Sequence, residues 1–596
     1  MLEHLGNYAR QHDLVAEPGF APKTVRWAIV CDAAGAFQEI VDLADPAEKG
    51  SSGRTFPRCP ELSQPEIKRG GPGCRHFLAD SIDVVALYAD GPPDAKLLAK
   101  HAYFTGLLRR AAEVMPPLSG VATRLAEAAS LAWLQEQLRA RKAKPTDKAT
   151  FAILGESPLY PVESDAWHDW WRRFRRSLGG EGAAATGAST PGAPRARCLG
   201  SGELVEPVPT HPKIAGLADV GGLSMGDALA SFKQESFCSY GLVQSANAPV
   251  SEEIAAQYRA ALNHLLREHG RRLVRAKVVH WFKKNVPPAD DPLSWLVAQD
   301  AQEEASAQQR ARELLEAIRT GRRPALAGNH YYALTLSGAS GRVMIRDWMD
   351  GPFEELVEKI DAWFHDLSIV RRDGSGLAPS PKLLAVLGAL VRDLDDLPAP
   401  LEATMWRVAV RGEPIPRQAM AQALGRLKID ILRNETLNHA RVGLLKAFLV
   451  RQGDRQMQPM LNEDHPDPAY HCGRLMALLA ALQYRALGDV GAGVVQRYYA
   501  AASTTPALVL GRLIRTAQFH LNKLEPGLAR WHESRLASVT SRIRDRVPRT
   551  LTFEEQSLFA LGYYQQIAAD RADRAKPQAA AETPTGAAEP QETSHD

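Results

Sequence analysis

Over roughly the first 380 residues, strand-like alternation and helical periodicity follow one another; beyond Pro381 only the helical rhythm persists. A short N-terminal helix precedes TVRWAIVC and AFQEIVDL, whose flanking of DAAG predicts a β-hairpin opening a sheet. Asp94 to Arg141 reads as helix with breaks at PP and SG, and Phe151 to Leu154 as a short strand. In SDAWHDWWRRFRRSL, Trp167, Trp170, Trp171 and Phe174 fall on one helical stripe. Those aromatics are expected in the core, with Arg172, Arg173, Arg175 and Arg176 on a solvated or phosphate-facing side. SEEIAAQYRAALNHLLRE is an amphipathic helix whose start fits a capping box with Ser251 as cap. LVRAKVVHWF is a strand candidate, HYYALTLSGASGRVMIRDW a second hairpin turning at SGASG, and FEELVEKIDAWFHDL a helix.

These patterns predict an α+β chain. A mixed domain with β-hairpins and helices spans 1–380, a helical bundle 381–573 and a disordered tail 574–596. Residues 179–196, GGEGAAATGASTPGAPRA, have linker composition and read as a flexible insertion.

Two stretches carry neither period. SSGRTFPRCPELSQPEIKRGGPGCRHFLAD is dense in Gly and Pro and holds Arg54, Arg58, Lys68, Arg69, Arg75 and His76. It is read as a basic loop in which backbone amides and cations can approach phosphate together. It lacks the G-x-x-x-x-G-K-[ST] of an NTP-binding loop, and a solvated basic loop fits the same residues. SFKQESFCSYGLVQSANAPV (Ser231 to Val250) alternates aromatics with Lys233, Gln234, Ser236, Gln244 and Asn247. A loop that buries its aromatics while presenting amides and a lysine suits a polar, anionic ligand. An ordinary surface loop pinned by its own aromatics fits too.

Composition narrows the class. A net charge of +3 means that nucleic-acid binding would have to come from local patches. The six cysteines include no C-x-x-C pair, which argues against a zinc site or disulfide framework and suits a reducing cytoplasm. The start lacks signal-peptide design, and the run LLAVLGALV is about half of a membrane span. A cytoplasmic protein with no membrane contact is the expectation.

Catalytic chemistry is sparse. GLSMG (Gly222 to Gly226) matches G-x-S-x-G, but no buried strand precedes Ser224 as a nucleophile elbow requires. EDHPDPAYHCGR gathers His465, Asp467 and His471 without the spacing of a metal site. No enzyme activity, cofactor or metal is expected; a serine or metal hydrolase stands as the alternative from another class.

In PALVLGRLIRTAQFHLNKLE, Leu510, Leu513, Ile514, Ala517, Leu521 and Leu524 share one face, which places Arg512, Phe519 and Lys523 opposite, with Arg515 at the edge. Cations with an interleaved aromatic fit a path for single-stranded nucleic acid. The next helix adds Arg530, Trp531, Arg535, Arg542, Arg544 and Arg546.

Several stretches in the same order carry a resemblance. They are WAIVCDAAGAFQEIVDL, PTHPKIAGL, SFKQESFCSYGLVQSANAPVSEEIAAQYRAALNHLL, HYYALTLSGASGRVMIRDW, QRYYAAASTTPALVLGRLIRTAQFHLNKL and LTFEEQSLFALGYYQQ. With them the chain resembles the large subunit of the type I-C CRISPR interference complex (Cascade). The resemblance implies a non-catalytic DNA-surveillance subunit. Such a subunit joins backbone and handle-binding subunits that carry the CRISPR RNA. It reads a protospacer-adjacent motif in duplex DNA, promotes R-loop formation, holds the displaced strand and helps recruit a helicase-nuclease. Guide pairing supplies most sequence information in such systems. Candidates for motif contact are Lys68, Arg69, Lys233, Gln234, Ser236, Gln244 and Asn247; for strand binding, Arg512, Arg515, Phe519, Lys523, Arg530 and Arg535. The resemblance also implies a small helical subunit translated from the same gene, starting at Met457, Met460 or Met476. A scaffold contacting only protein partners is the other alternative.

Overall fold

The computed structural model describes residues 1–14, 17–45, 52–178, 195–232, 234–237, 240, 242, 244–297, 307–543 and 547–581, with backbone alone for 64–65 and 576–581. They form two compact units, one of residues 1–270 with 337–344, the other of 271–336 with the chain from 345 onward. The fold class is α+β, as the alternating rhythm predicts.

In the first unit the strands are β1 (Phe20–Val25), β2 (Trp27–Cys31), β3 (Phe37–Asp42), β4 (Arg54–Pro60), β5 (Asp80–Ser81) and β6 (Lys148–Ile153). β2 and β3 form the expected hairpin, its turn held by Asp32, whose Oδ1 accepts from the amides of Ala34 and Ala36 at 3.0 and 2.9 Å. β6 adds parallel to β2, and β5 antiparallel to β6. Strand β4 corrects the reading of the Gly/Pro-dense stretch as a loop: it pairs antiparallel with β1 alone. A two-stranded ribbon has only edges, and edges tolerate proline, so Pro57 and Pro60 did not preclude a strand.

The helices of this unit are α1 (Leu2–Gln11), α2 (Gln64–Arg69), α3 (Ile82–Ala86), α4 (Ala95–Ala111), α5 (Leu118–Leu125), α6 (Ala128–Ala140), α7 (His168–Ser177) and α8 (Glu252–His264). Ser119–Gly120, read as a break, lies inside α5. The aromatic stripe is core: Trp167, Trp170, Trp171 and Phe174 are buried with Phe77 and Phe104. Two of the arginines behind it are ties within the unit and not a phosphate-facing side. Arg172 bonds Glu17 and Asp169, and Arg175 bonds Glu66 and Glu252. Ser251 does cap α8, accepting from the Ile254 amide at 3.1 Å, but N3 is Ile254 and no reciprocal carboxylate completes a box.

Short strands β7 (Ala196–Arg197) and β8 (Leu204–Val205) pair with each other, as do β9 (Lys213–Ile214) and β10 (Asp227–Ala228). The second unit contributes β11 (Arg271–Arg272), β12 (Lys277–Phe282) and most of the hairpin β13 (His330–Ala339) and β14 (Arg342–Pro352), whose tip, 337–344, belongs to the first unit. This is the second expected hairpin. Its turn is narrower than SGASG and falls on Ser340 and Gly341, both at positive φ (49° and 88°) as a two-residue turn demands.

Helices then take over: α9 (Pro292–Val297), α10 (Ala307–Arg319), α11 (Phe353–Leu367), α12 (Leu383–Gly388), α13 (Ala399–Arg411), α14 (Arg417–Leu432), α15 (His439–Arg451), α16 (Pro468–Leu487), α17 (Val494–Ala502), α18 (Pro506–Leu521), α19 (Pro526–Arg542) and α20 (Phe553–Ala581). α16 and α20 touch backbone to backbone. A Cβ on Gly473 would lie 1.9 Å from the Phe559 carbonyl oxygen, and one on Gly562 2.1 Å from that of Tyr470. α20 continues past Arg574 to Ala581. Among the described residues no helix is long and apolar enough to cross a membrane.

Buried histidines give the fold a signed pH response. Burial pulls His471 down to about 4 and lowers His211 too. In the unfolded chain both protonate near ~6.5. Their contribution is therefore complete above that value and declines as pH falls from ~6.5 towards 4. Burial opposes ionisation of Glu61, yet the paired Arg259 draws its carboxyl down to about 2, so this group keeps its stabilisation across the same window. Unfolding midpoints should accordingly drop between pH 7 and 5, and His471→Gln should flatten that drop.

Candidate nucleic-acid interface

In the first unit, the described residues between 231 and 250 form an irregular arch with 3-10 turns at Glu235–Phe237 and Gln244–Asn247. Its C-terminal foot is tied down three times. The Ser245 hydroxyl donates to the Pro209 carbonyl (3.0 Å), the Val208 amide to Val250, and the Leu199 amide to Pro249. His211 adds a strut: its Nε2 donates to the Ala248 carbonyl at 3.0 Å while Nδ1 accepts from the Tyr258 hydroxyl at 2.8 Å. Near the other end Phe237 meets Phe232 edge-on, and Arg342, from the hairpin tip, lies over the Phe237 ring at 5.6 Å.

That tip is itself firmly seated. Ala228 of β10 pairs with Arg342, and a Cβ on Gly338 would fall 2.1 Å from the Gly222 Cα. The GLSMG turn therefore serves as a seat for the hairpin. Ser224 is exposed there, preceded by a 3-10 turn (Ala218–Val220) and followed by β10, so the strand-then-helix setting of a nucleophile elbow is not what flanks it.

The arch does not bury its aromatics as expected. Tyr240 is 100% exposed and held at φ 54°, with Phe237 and Leu242 also exposed. The polar residues divide. Gln234, Ser236 and Gln244 are exposed. The Asn247 amide instead braces the loop, donating to the carbonyls of Leu242 (3.3 Å) and Gln244 (3.1 Å). Lys233 lies outside the described residues.

Lys68 and Arg69 occupy the last turn of α2, both exposed and, among the described residues, without hydrogen bond or ion pair. Three of the neighbouring basic residues are spent structurally, while the Arg75 Nε is buried without a partner among the described residues. Arg54 pairs with Glu163, Arg58 with Glu17, and the His76 Nδ1 accepts from the Leu62 amide at 3.1 Å.

In the second unit, α18 buries Leu510, Leu513, Ala517 and Leu521 and turns the other face to solvent. On that face Leu508, Arg512, Arg515 and Phe519 follow at i, i+4, i+7 and i+11, a stripe about 16 Å long, and Lys523 stands in the turn just past the helix end. All five are exposed, Leu508 to 78% and Phe519 to 69%, and none of the three cations has an ion-pair partner among the described residues. Leu508 was missed from sequence; its place one turn before Arg512 was the available signal. On α19, Arg530 is exposed and unpaired among the described residues. Arg535 is not free: it pairs with Asp570 and lies 4.6 Å over the half-exposed Trp531 ring. Arg542 pairs with Asp464 at 2.6 Å, while Arg544 and Arg546 are outside the described residues.

The His465/His471 group proves to be a helix-end network. Asp467 caps α16, His471 Nε2 donates to the His465 carbonyl at 2.6 Å, and Arg474 links His471, Gln566 and Glu463. Among the described residues no three His, Cys, Asp or Glu side chains are grouped to hold a metal ion.

The family model described as CRISPR-associated protein (Cas_Csd1) matches residues 2–570. The chain belongs to the Csd1 family. It is thereby a CRISPR-associated large subunit, a component that works in complex with other Cas proteins. No curated protein matches it. The match runs through both units, so the arch, the hairpin tip and the α18 stripe all lie within the Csd1 region.

Proposed function

We propose that this Csd1 chain is the DNA-surveillance subunit of a type I-C CRISPR complex and performs no catalysis itself. The observation that carries the reading is the α18 stripe, where cations alternate with apolar and aromatic side chains along one solvent face. Arginine and lysine meet backbone charge while Phe519 offers a stacking platform, which suits the strand displaced when a guide RNA pairs with its target. In the first unit the arch supplies the second half of the task. Gln234, Ser236 and Gln244 present hydrogen-bonding groups on a tied-down loop, and Lys68 and Arg69 supply phosphate anchors.

The partners under this reading are the CRISPR RNA-bearing backbone and handle-binding subunits, target duplex DNA, and a helicase-nuclease that cuts. The test of motif reading is binding of the assembled complex to duplexes with correct and altered motifs. Gln234→Ala should cost ~1–3 kcal/mol on the correct motif and little on the altered one. Asn247→Ala should weaken both equally, because its amide holds the loop. Loss of neither would sink the assignment of the arch. Purified chain showing hydrolysis that Ser224→Ala abolishes would overturn the non-catalytic part.

A smaller helical subunit made from the same gene belongs to this reading, and the packing of α16 on α20 supports a start before α16. Met476 lies inside α16 and is fully buried; starting there would delete Tyr470, Gly473 and Arg474, which hold α16 to α20. Met457 and Met460 precede α16 and keep that pair whole. Intact-mass analysis should show a C-terminal product beginning at one of these two; full-length chain alone would count against it.

A further inference from the structure

A second cluster of cations in the helical unit has no ion-pair partner among the described residues and sits on rigid backbone. Residues 370–377 form a tight loop closed by a bridge between Val370 and Leu377, with the Arg371 amide donating to Gly376 (2.8 Å) and the Gly374 amide to Arg371 (2.9 Å). The loop is clamped to α20. The Tyr564 hydroxyl donates to the Val370 carbonyl at 3.0 Å, and a Cβ on Gly374 would meet the Ala568 carbonyl at 2.4 Å. This seating brings Arg372 beside Arg571, and Arg574 stands one turn further along α20, beside Arg571 in its turn.

The nearby carboxylates are already committed. Asp373 accepts from the amide and hydroxyl of Ser375 (2.9 and 2.7 Å), Asp570 from Arg535 and Gln566, and Asp573 has a partner of its own. Among the described residues Arg372, Arg571 and Arg574 have no hydrogen bond or ion pair, and the Arg372 Nε is buried with nothing to donate to. Partial burial and the neighbouring guanidinium groups of Arg372 and Arg574 lower the pKa of Arg571, outweighing the upward pull of Tyr563 and Asp373. A buried donor left unsatisfied beside like charges is costly unless a ligand answers it.

We propose that Arg372, Arg571 and Arg574 form an anion site that takes one phosphate group, independent of the α18 stripe. The phosphate comes from a nucleic-acid backbone or from a free polyphosphate; the chemistry of recognition is the same, forked guanidinium donors around tetrahedral oxygens.

The experiment uses the full chain and two probes, fluorescein-labelled oligo-dT and inorganic tripolyphosphate. Arg571→Gln with Arg574→Gln should leave the unfolding midpoint without ligand unchanged or raised, because like-charge repulsion is relieved. If the site takes a strand, oligo-dT affinity falls about fivefold at 0.1 M salt and the salt slope flattens by about 0.7. If it takes a free anion, oligo-dT binding is unchanged and the rise in unfolding midpoint given by tripolyphosphate disappears. Arg372→Lys, which keeps the charge and removes the buried Nε donor, should give the same change in part. The α18 triple variant should keep the tripolyphosphate effect. Unchanged response to both probes in the double variant and in Arg372→Lys overturns the site.

Discussion

Replacing Arg512, Arg515 and Lys523 together by glutamine should lower single-strand affinity by roughly 100-fold at 0.1 M salt and flatten the salt slope by about 2. The three cations are exposed and unpaired among the described residues, so their removal breaks no contact within the fold. Glutamine keeps helix propensity, and the buried face of α18 is untouched. The effect should therefore appear in binding and not in stability. Phe519→Ala should behave differently, costing ~1–3 kcal/mol of affinity with no change in slope, since a stacking platform carries no counterion. Fluorescence titration across a salt series separates the two. A slope that stays the same in the triple variant would mean that this face meets protein, and would favour a scaffold over a strand-binding subunit.

The second large effect is on stability. Asp430 and Arg441 are each about 5% exposed and form an ion pair between α14 and α15, with the Arg441 Nε donating to the Ala389 carbonyl at 2.7 Å. Burial lowers the pKa of Arg441 against the pull of Asp430. Asp430→Ala leaves a guanidinium enclosed without an anion and should destabilise the helical unit by about 3–5 kcal/mol. Urea denaturation followed by circular dichroism should show the loss. Asp430→Leu combined with Arg441→Met should recover most of it, because replacing the buried pair by apolar side chains is close to neutral and the other partner of Asp430, Arg426, is 19% exposed and can turn to solvent. If the double variant is as unstable as the single, the pair acts through something other than uncompensated charge.

Periodicity made most elements legible. Both hairpins, the tryptophan stripe and the long helices of the bundle follow from alternation and helical spacing, since each buries one face against a neighbour. Strand β4 was hidden because prolines mask alternation, and nothing local announces that the ribbon has no interior strand. The α18 stripe was readable because helix geometry alone decides which residues share its outer face. The arch was readable only as irregular. The way Ser245, Ala248 and Phe237 are held depends on Pro209, His211 and Arg342, far away in sequence. For the same reason sequence gave Arg535 as a free cation. Its partner Asp570 is 35 residues on, and no local pattern joins them.

The hairpin turn has a consequence for synthesis. Residues 337–344 belong to the unit otherwise made of 1–270, and they supply the strand partner of β10 and the guanidinium over Phe237. As the chain leaves the ribosome, that unit must wait for roughly 70 residues beyond Gly270 before its last pieces exist. At about 5–20 residues per second this is a delay of several seconds. Throughout it β10 would expose an open edge and the arch would lack its pin. A nascent chain stalled shortly after Gly270 should be far more open to protease at residues 221–250 than one stalled well past Met344.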